Sequence, residues 1–377
     1  MKKTIAVFFG GRSTEHDISI ITALSSVIKP LELSKQFTVI PVYITKTGKW
    51  VSNEKLKQVE LYRTKKIDEF VAKTKAVKIT LDGGLLLNGT RIDVAFPAMH
   101  GSYGEDGSLM GLLRMANIPF VGADMDASVI AMDKVLAKQV AVANNIPVSK
   151  FVFFSRSDIF NDLDMVSKNT IKSVRFPLFV KPAHLGSSIG ITRVTNNNEL
   201  KNALEVAAYY DEKIIVEEAV NNLIEVTVPI VGNDVIEPAL VERPLTQSED
   251  FFDFDTKYIN GGKKGSGKKS GAQGYSELPA KLPGDLYDRS VEVAKSVYKA
   301  IGATGISRID LLIDEKTSIV YFNEVNPLPG DLYRHNWRAA GVSSVELVTR
   351  LVDLAEERFT QKQTLNTTFD SSFLQQF

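Results

Sequence analysis

Two strings near the end of the chain, SRIDLLID (307–314) and SIVYFNEVN (318–326), decide how the rest is read. Both alternate polar and apolar residues with period two, and the turn Asp314–Thr317 between them lets them pair as an antiparallel hairpin. Glu324 and Asn326 are two apart and share a face. Asp310, read as lying at the beginning of the first strand, should meet them from across the hairpin. Two carboxylates and an amide oxygen make a hard-oxygen set suited to Mg²⁺ bridging nucleotide phosphates. Either strand alone reads equally well as solvated polar residues; together, running into Pro327-Leu328-Pro329-Gly330, they favour a metal site.

Upstream, lysines recur where phosphate chemistry would want them. Lys181 closes the apolar strand FPLFVKP (176–182), where a cation is costly to bury without an anion nearby. Lys134 follows the start of a helix around Asp133–Asn144, and a surface role is the competing reading. The loop Gly186-Ser187-Ser188-Ile189-Gly190 offers backbone N–H groups to a phosphate, although most such turns are simply connections.

Composition removes other classes. The 377-residue chain carries 45 basic and 45 acidic residues, so no global field favours nucleic acid or an anionic membrane. With no cysteine there is no disulfide, thiolate nucleophile or Cys-ligated metal. No apolar run approaches the ~20 residues of a membrane span. These points predict a cytoplasmic enzyme acting on small molecules, without nucleic-acid or membrane partners.

The pattern predicts an α/β protein. TIAVFF (4–9), FTVIPVYIT (37–45), IDVAFPAM (92–99) and PFVG (119–122) read as strands of a parallel sheet. Between the first two lies a helix after Gly10-Gly11, with Ser13 as its N-cap. Strands at 176–182, 214–220 and 225–242, a helix at 286–302, the hairpin and a last helix near 343–358 follow; residues 155–175 show no clear pattern. Residues 260–274, NGGKKGSGKKSGAQG, are the one low-complexity stretch.

RID followed by NEVN and PG resembles the metal-binding signature of ATP-grasp enzymes, in a form closest to the D-alanine–D-alanine ligases. Further blocks of that family appear in order: GGRSTEHDIS (10–19), HGSYGEDGSLMGLL (100–113), Asp133-Lys134, FVKPAHLGSSIGI (179–191), VEEAV (216–220) and FDTKY (254–258). The resemblance implies a Rossmann-like N-terminal domain over 1–122 and two ATP-grasp subdomains, 123–219 and 220–377, that hold ATP between them. A lid would span 251–275. It implies ATP-dependent ligation of two D-alanines through an acyl-phosphate, for peptidoglycan synthesis. ATP and two Mg²⁺ ions, replaceable by Mn²⁺, would be required, and the protein would be a homodimer.

By the same resemblance Asp310, Glu324 and Asn326 hold the metal. Lys134, Lys181, Ser187, Ser188 and Lys257 contact the phosphates, and Glu217 and the Val220 backbone hold adenine. Glu15, bonded to Ser187 and Tyr258, anchors the first D-alanine, with His100 near its carboxylate. Arg308 and the Gly330 N–H stabilise the tetrahedral oxyanion. His16 and His184 read as structural. Two departures stand out. The family's ribose-binding Glu is absent from Leu223-Ile224-Glu225-Val226, so either Glu225 substitutes or the contact is lost. The serine that holds the acceptor carboxylate is also missing; Asp331-Leu-Tyr-Arg334-His335-Asn336 stands there, and Arg334 or His335 could bind the carboxylate or select another acceptor, such as D-serine or D-lactate. A nucleotide-binding protein without ligase activity is the remaining alternative.

Overall fold

The computed structural model describes residues 2–245 and 276–377. Strand β1 (Lys3–Gly10) lies at the heart of the first sheet. Ile5, Val7 and Phe9 enter one hydrophobic cluster and Ala6 and Phe8 another, as expected of a parallel strand covered on both faces. After it comes one continuous helical run, α1 (His16–Ile21), a π-helical segment (Thr22–Ile28) and α2 (Lys29–Leu33). The helix starts two residues later than Ser13 would set it. Ser13 instead accepts from Glu15 N through Oγ, and Glu15 occupies the cap position without a side-chain bond.

Strand β2 (Phe37–Ile44) pairs parallel with β1, and β3 (Trp50–Ser52) adds an antiparallel edge. The short helices α3 (Val59–Arg63) and α4 (Ile67–Lys73) follow, then a small meander of β4 (Ile79–Leu81), β5 (Leu85–Leu87) and β6 (Thr90–Arg91). Strand β7 (Val94–Pro97) returns to β1 in parallel. The expected strand at 119–122 reduces to a single bridge between Ala95 and Phe120, because Gly122 turns the chain away. Helices α5 (Ser108–Met115), α6 (Met125–Met132) and α7 (Lys134–Ala143) come next.

A second, antiparallel sheet contains β8 (Phe151–Ser155), β9 (Leu178–Pro182), β10 (Thr192–Val194) and β11 (Lys213–Glu218) in the order β10-β9-β11-β8. Helices α8 (Arg156–Asn161), α9 (Leu163–Ser173) and α10 (Asn197–Tyr210) share its core. The unpatterned stretch 155–175 is therefore helical: Ser155 forms a capping box with Asp158, and Asp162 caps α9. The third sheet joins β12 (Leu223–Gly232) to β13 (Ile236–Pro238) and, past a short β14–β15 pair (Arg243–Pro244, Ser276–Glu277) and α11 (Leu286–Ala300), to β16 (Gly305–Asp314) and β17 (Ile319–Asn326). Helix α11 and α7 bury their apolar faces against it. After α12 (Arg334–Ala339), α13 (Ser344–Gln363) leaves this sheet and packs Leu347, Leu351 and Val352 into the core of the first.

Candidate active site

The hairpin forms as its alternation predicts. Asp310 faces Glu324 and Arg308 faces Asn326 across the two strands, with Asp310 in the middle of β16 rather than at its start. Alternate residues Ile309, Leu311 and Ile313 enter the core, leaving Arg308 and Asp310 on the cleft side. One device escaped the sequence reading. The pairing slips between Asp310 and Leu311, so β17 carries an extra residue at Asn323. Phe322 and Val325 are both buried, three apart, and the bulge thereby re-aims Glu324 and Asn326 into the cleft.

Arg308 donates from Nε and Nη2 to the two oxygens of Asp310 at 2.7 and 2.6 Å, and Asn326 Nδ2 donates to Asp310 at 3.1 Å. Burial alone would depress the guanidinium pKa, but the Asp310 carboxylate overrides it and drives it up. Among the described residues no cluster of three His, Cys, Asp or Glu forms a metal cage. The hard-oxygen set is completed by the Asn326 amide, and two carboxylates facing each other across a bulged hairpin fit a divalent cation.

Opposite the hairpin, Asp133 caps α7 by accepting from Val135 N and Leu136 N, which starts the helix at Lys134. Lys134 Nζ donates to Leu185 O at 2.6 Å and lies 3.5 Å from Glu324. Lys181 pairs with Glu217 at 2.8 Å, and the fully buried Lys138 reaches the other Glu217 oxygen at 3.1 Å. Burial would raise the Glu217 pKa; the two ammonium groups instead hold it at about 2. Glu225 lies close enough to act electrostatically on Lys181, which keeps it a candidate for the ribose. Lys138 escaped the sequence reading, although its spacing of four from Lys134 on an amphipathic helix was the available signal.

The far end of the cleft holds the anionic anchor. Glu15 Oε1 accepts from Ser187 Oγ at 2.5 Å. Ser187 and Ser188 both adopt positive φ, 54° and 59°, so the Gly/Ser loop curls back toward the cleft. Gly186 and Gly101 lie against the same carboxylate, where an added Cβ would come within 3.3 and 3.0 Å of Glu15 Oε2. His100 is buried, its Nε2 is 2.8 Å from Thr22 Oγ1, and burial holds its pKa below the ordinary value. Glu105, which sequence reasoning did not single out, accepts from Gly101 N at 2.7 Å. Burial, then the Glu15 charge, push its pKa up to about 8.

The acceptor end departs from expectation. Asp331, Leu332 and Tyr333 adopt φ of 55°, 51° and 51° in succession. Three consecutive non-glycine residues in this region cost roughly 1–2 kcal/mol each, so their surroundings must impose the turn. Arg334 and His335, expected to face a substrate carboxylate, do not line the cleft. Arg334 donates to Asp331 Oδ2 at 2.7 Å and to Ser25 O at 3.3 Å, while His335 pairs with Glu242 at 2.7 Å. The left-handed turn swings both away, leaving Gly330 to line the cleft. The other two histidines are structural, as read: His16 bonds Gly11 O and the Tyr43 hydroxyl, and His184 bonds Asp211 and faces Asp133. Lys257, Tyr258 and the expected lid at 251–275 lie outside the described residues. Val220 sits between β11 and β12, at the crossing from the second sheet to the third.

The chain resembles known proteins over nearly its whole length. A family model described as "D-ala D-ala ligase N-terminus" matches residues 4–123, and one described as "D-ala D-ala ligase C-terminus" matches 140–353. A D-alanine–D-alanine ligase of Chloroherpeton thalassium is 34% identical over 96% of this chain and 98% of its own length. One from Clostridium novyi is 36% identical over 95% and 99%. Among solved structures, the VanG D-Ala:D-Ser ligase of Enterococcus faecalis superposes with a TM-score of 0.79 at 31% identity, covering 94% of this chain and all of that one.

Proposed function

The chain belongs to the D-alanine–D-alanine ligase family, and on that premise we propose how its residues perform the ligation. It is an ATP-dependent carboxylate–amine ligase of the ATP-grasp fold that joins two D-alanines into the dipeptide used for peptidoglycan. The observation that carries the residue assignments is the convergence of Arg308, Glu324 and Asn326 with Lys134, Glu15 and Ser187 on one cleft.

The triphosphate runs from Glu217 and the Val220 backbone, which hold the adenine, past Lys181 and Lys134 to the hairpin; Glu225 takes the ribose. Asp310, Glu324 and Asn326 would hold two Mg²⁺ ions, replaceable by Mn²⁺, whose charge would offset that of the phosphates. Ser188 adds a backbone contact to the phosphates, and Lys257 and Tyr258 close the lid. The first D-alanine enters with its ammonium against Glu15, fixed by Ser187, and its carboxylate beside His100. That carboxylate attacks the γ-phosphorus, ADP leaves, and an acyl-phosphate forms. The amine of the second D-alanine then adds to the carbonyl. Arg308 and the Gly330 N–H receive the developing oxyanion, and collapse expels phosphate. Closure excludes the water that would hydrolyse the acyl-phosphate. Units 1–122, 123–219 and 220–377 move relative to one another for this, in a cytoplasmic homodimer that pairs through the first.

One observation favours a second reading. The family's acceptor serine is absent, and the protein shares 31% identity with a ligase named for D-serine. Mass spectrometry of products from D-alanine offered with D-serine and with D-lactate decides between them. Predominant D-alanyl-D-alanine supports the leading reading; a mixed product formed in preference to it supports the second. The inactive nucleotide-binding alternative is not retained, since family likeness spans both halves of the chain.

A further inference from the structure

The left-handed turn at 331–333 has an unusual seat. The Asp331 carboxylate accepts from Ser26 Oγ, has Ser25 Oγ 3.2 Å away, and takes a 2.7 Å bond from Arg334 Nε. Its own backbone N–H donates to Thr22 Oγ1 at 2.9 Å, and the same oxygen lies 2.8 Å from His100 Nε2. Thr22, Ser25 and Ser26 all belong to the π-helical segment Thr22–Ile28. Three and four residues apart along one helical run, they share a face, which is what lets three hydroxyls meet one short loop. A π segment and a run of positive φ are each rare, and here they fit against one another.

What this junction holds is the acceptor end of the cleft. Immediately before Asp331 is Gly330, which lines the cleft; two residues after it is Tyr333, whose ring carries the Arg308 guanidinium 5.3 Å from its centre. Tyr333 is pinned by a 3.0 Å hydrogen bond to Thr227. Arg308 is separately held by its two bonds to Asp310, so its placement does not depend on the turn alone. The wall facing the incoming amine does.

We propose that Asp331 is a positioning residue for the second half-reaction: anchored by Ser25, Ser26, Arg334 and Thr22, it imposes the left-handed turn that aims the Gly330 N–H and shapes the acceptor wall. It does the work of the missing serine indirectly, by fixing backbone rather than by touching the acceptor. This inference rests on the ligase reading above.

The test separates the two half-reactions in Asp331→Asn and in the double variant Ser25→Ala/Ser26→Ala. Hydroxylamine, a small nucleophile with no need of the acceptor wall, traps the acyl-phosphate as D-alanyl hydroxamate; dipeptide formation reports the acceptor step. Asparagine tolerates positive φ, so the first variant removes charge without straining the turn, and the second attacks the network from the other side. Both should lose about tenfold or more in dipeptide formation, with a raised KM for the acceptor and hydroxamate within about twofold of the parent. Equal loss of hydroxamate and dipeptide, or no loss of either, overturns the proposal while the ligase reading stands. A parent protein that makes neither product overturns both.

Discussion

At the scale of single residues, the phosphate end rests on Glu217 held between two lysines. Lys181→Met should lower kcat/KM for ATP about 10²–10³-fold, because an ammonium aimed at developing phosphate charge is lost. Lys138 remains to neutralise the buried Glu217, so the fold should persist, which circular dichroism checks. A turnover equal to the parent's would remove Lys181 from the mechanism. His184 supplies a pH signature. Its bonds to Asp133 and then Asp211 raise its pKa from 6.5 to about 9. The stabilisation it contributes is complete below the unfolded value and is lost as pH rises through about 9. Urea unfolding should therefore show the gap between parent and His184→Gln largest near pH 6 and closing by pH 10, while a constant gap contradicts the assignment. Lys181, Glu324 and Asn326 were visible because each interrupts or ends an apolar pattern, and Glu217 through the family resemblance. Lys138 and Glu105 were not, since a lysine in a helix and a glutamate in a glycine-rich loop read as solvated until the packing buries them.

At the scale of elements, the loops matter more than the strands they join. Gly101, at φ 67°, lets the HGSYGEDG loop pass against Ser13 and Glu15. Gly101→Ala would set a methyl 3.0 Å from Glu15 Oε2 in a conformation that alanine resists. The KM for the first D-alanine should rise about tenfold or more, with that for ATP nearly unchanged; a parallel rise in both would point to general damage. Periodicity located β1, β2, β7, β9, β11, β12, β16 and β17, because each keeps an apolar face or run, and passed over the short β3, β8 and β10. It missed α8 and α9, whose caps at Ser155 and Asp162 sit in otherwise polar sequence. The bulge at Asn323 left only the three-residue spacing of Phe322 and Val325, while the left-handed turn at 331–333 left no trace in alternation, because packing from a distant segment imposes it. Arg334 and His335 were misplaced for that reason.

At the scale of the molecule, α13 carries the chain's end from the third sheet back to the first, and Arg358 is the clamp. Nearly buried, it donates from Nη1 to Gly122 O at 2.5 Å and from Nη2 to Phe120 O at 2.7 Å, and it also bonds Thr304. Burial without a carboxylate partner lowers its pKa to about 10. Arg358→Leu leaves two carbonyls without that donor and should cost about 2–4 kcal/mol, read as a lower urea midpoint. An unchanged midpoint would show the clamp to be dispensable. The central claim, that a D-alanine carboxylate takes the γ-phosphoryl group before the amine arrives, is tested most directly by following oxygen. With D-alanine labelled by ¹⁸O in its carboxylate, ATP and Mg²⁺, the released inorganic phosphate should carry one ¹⁸O atom for each dipeptide formed. Dipeptide appearing with unlabelled phosphate would contradict the acyl-phosphate, and with it the account given of the cleft.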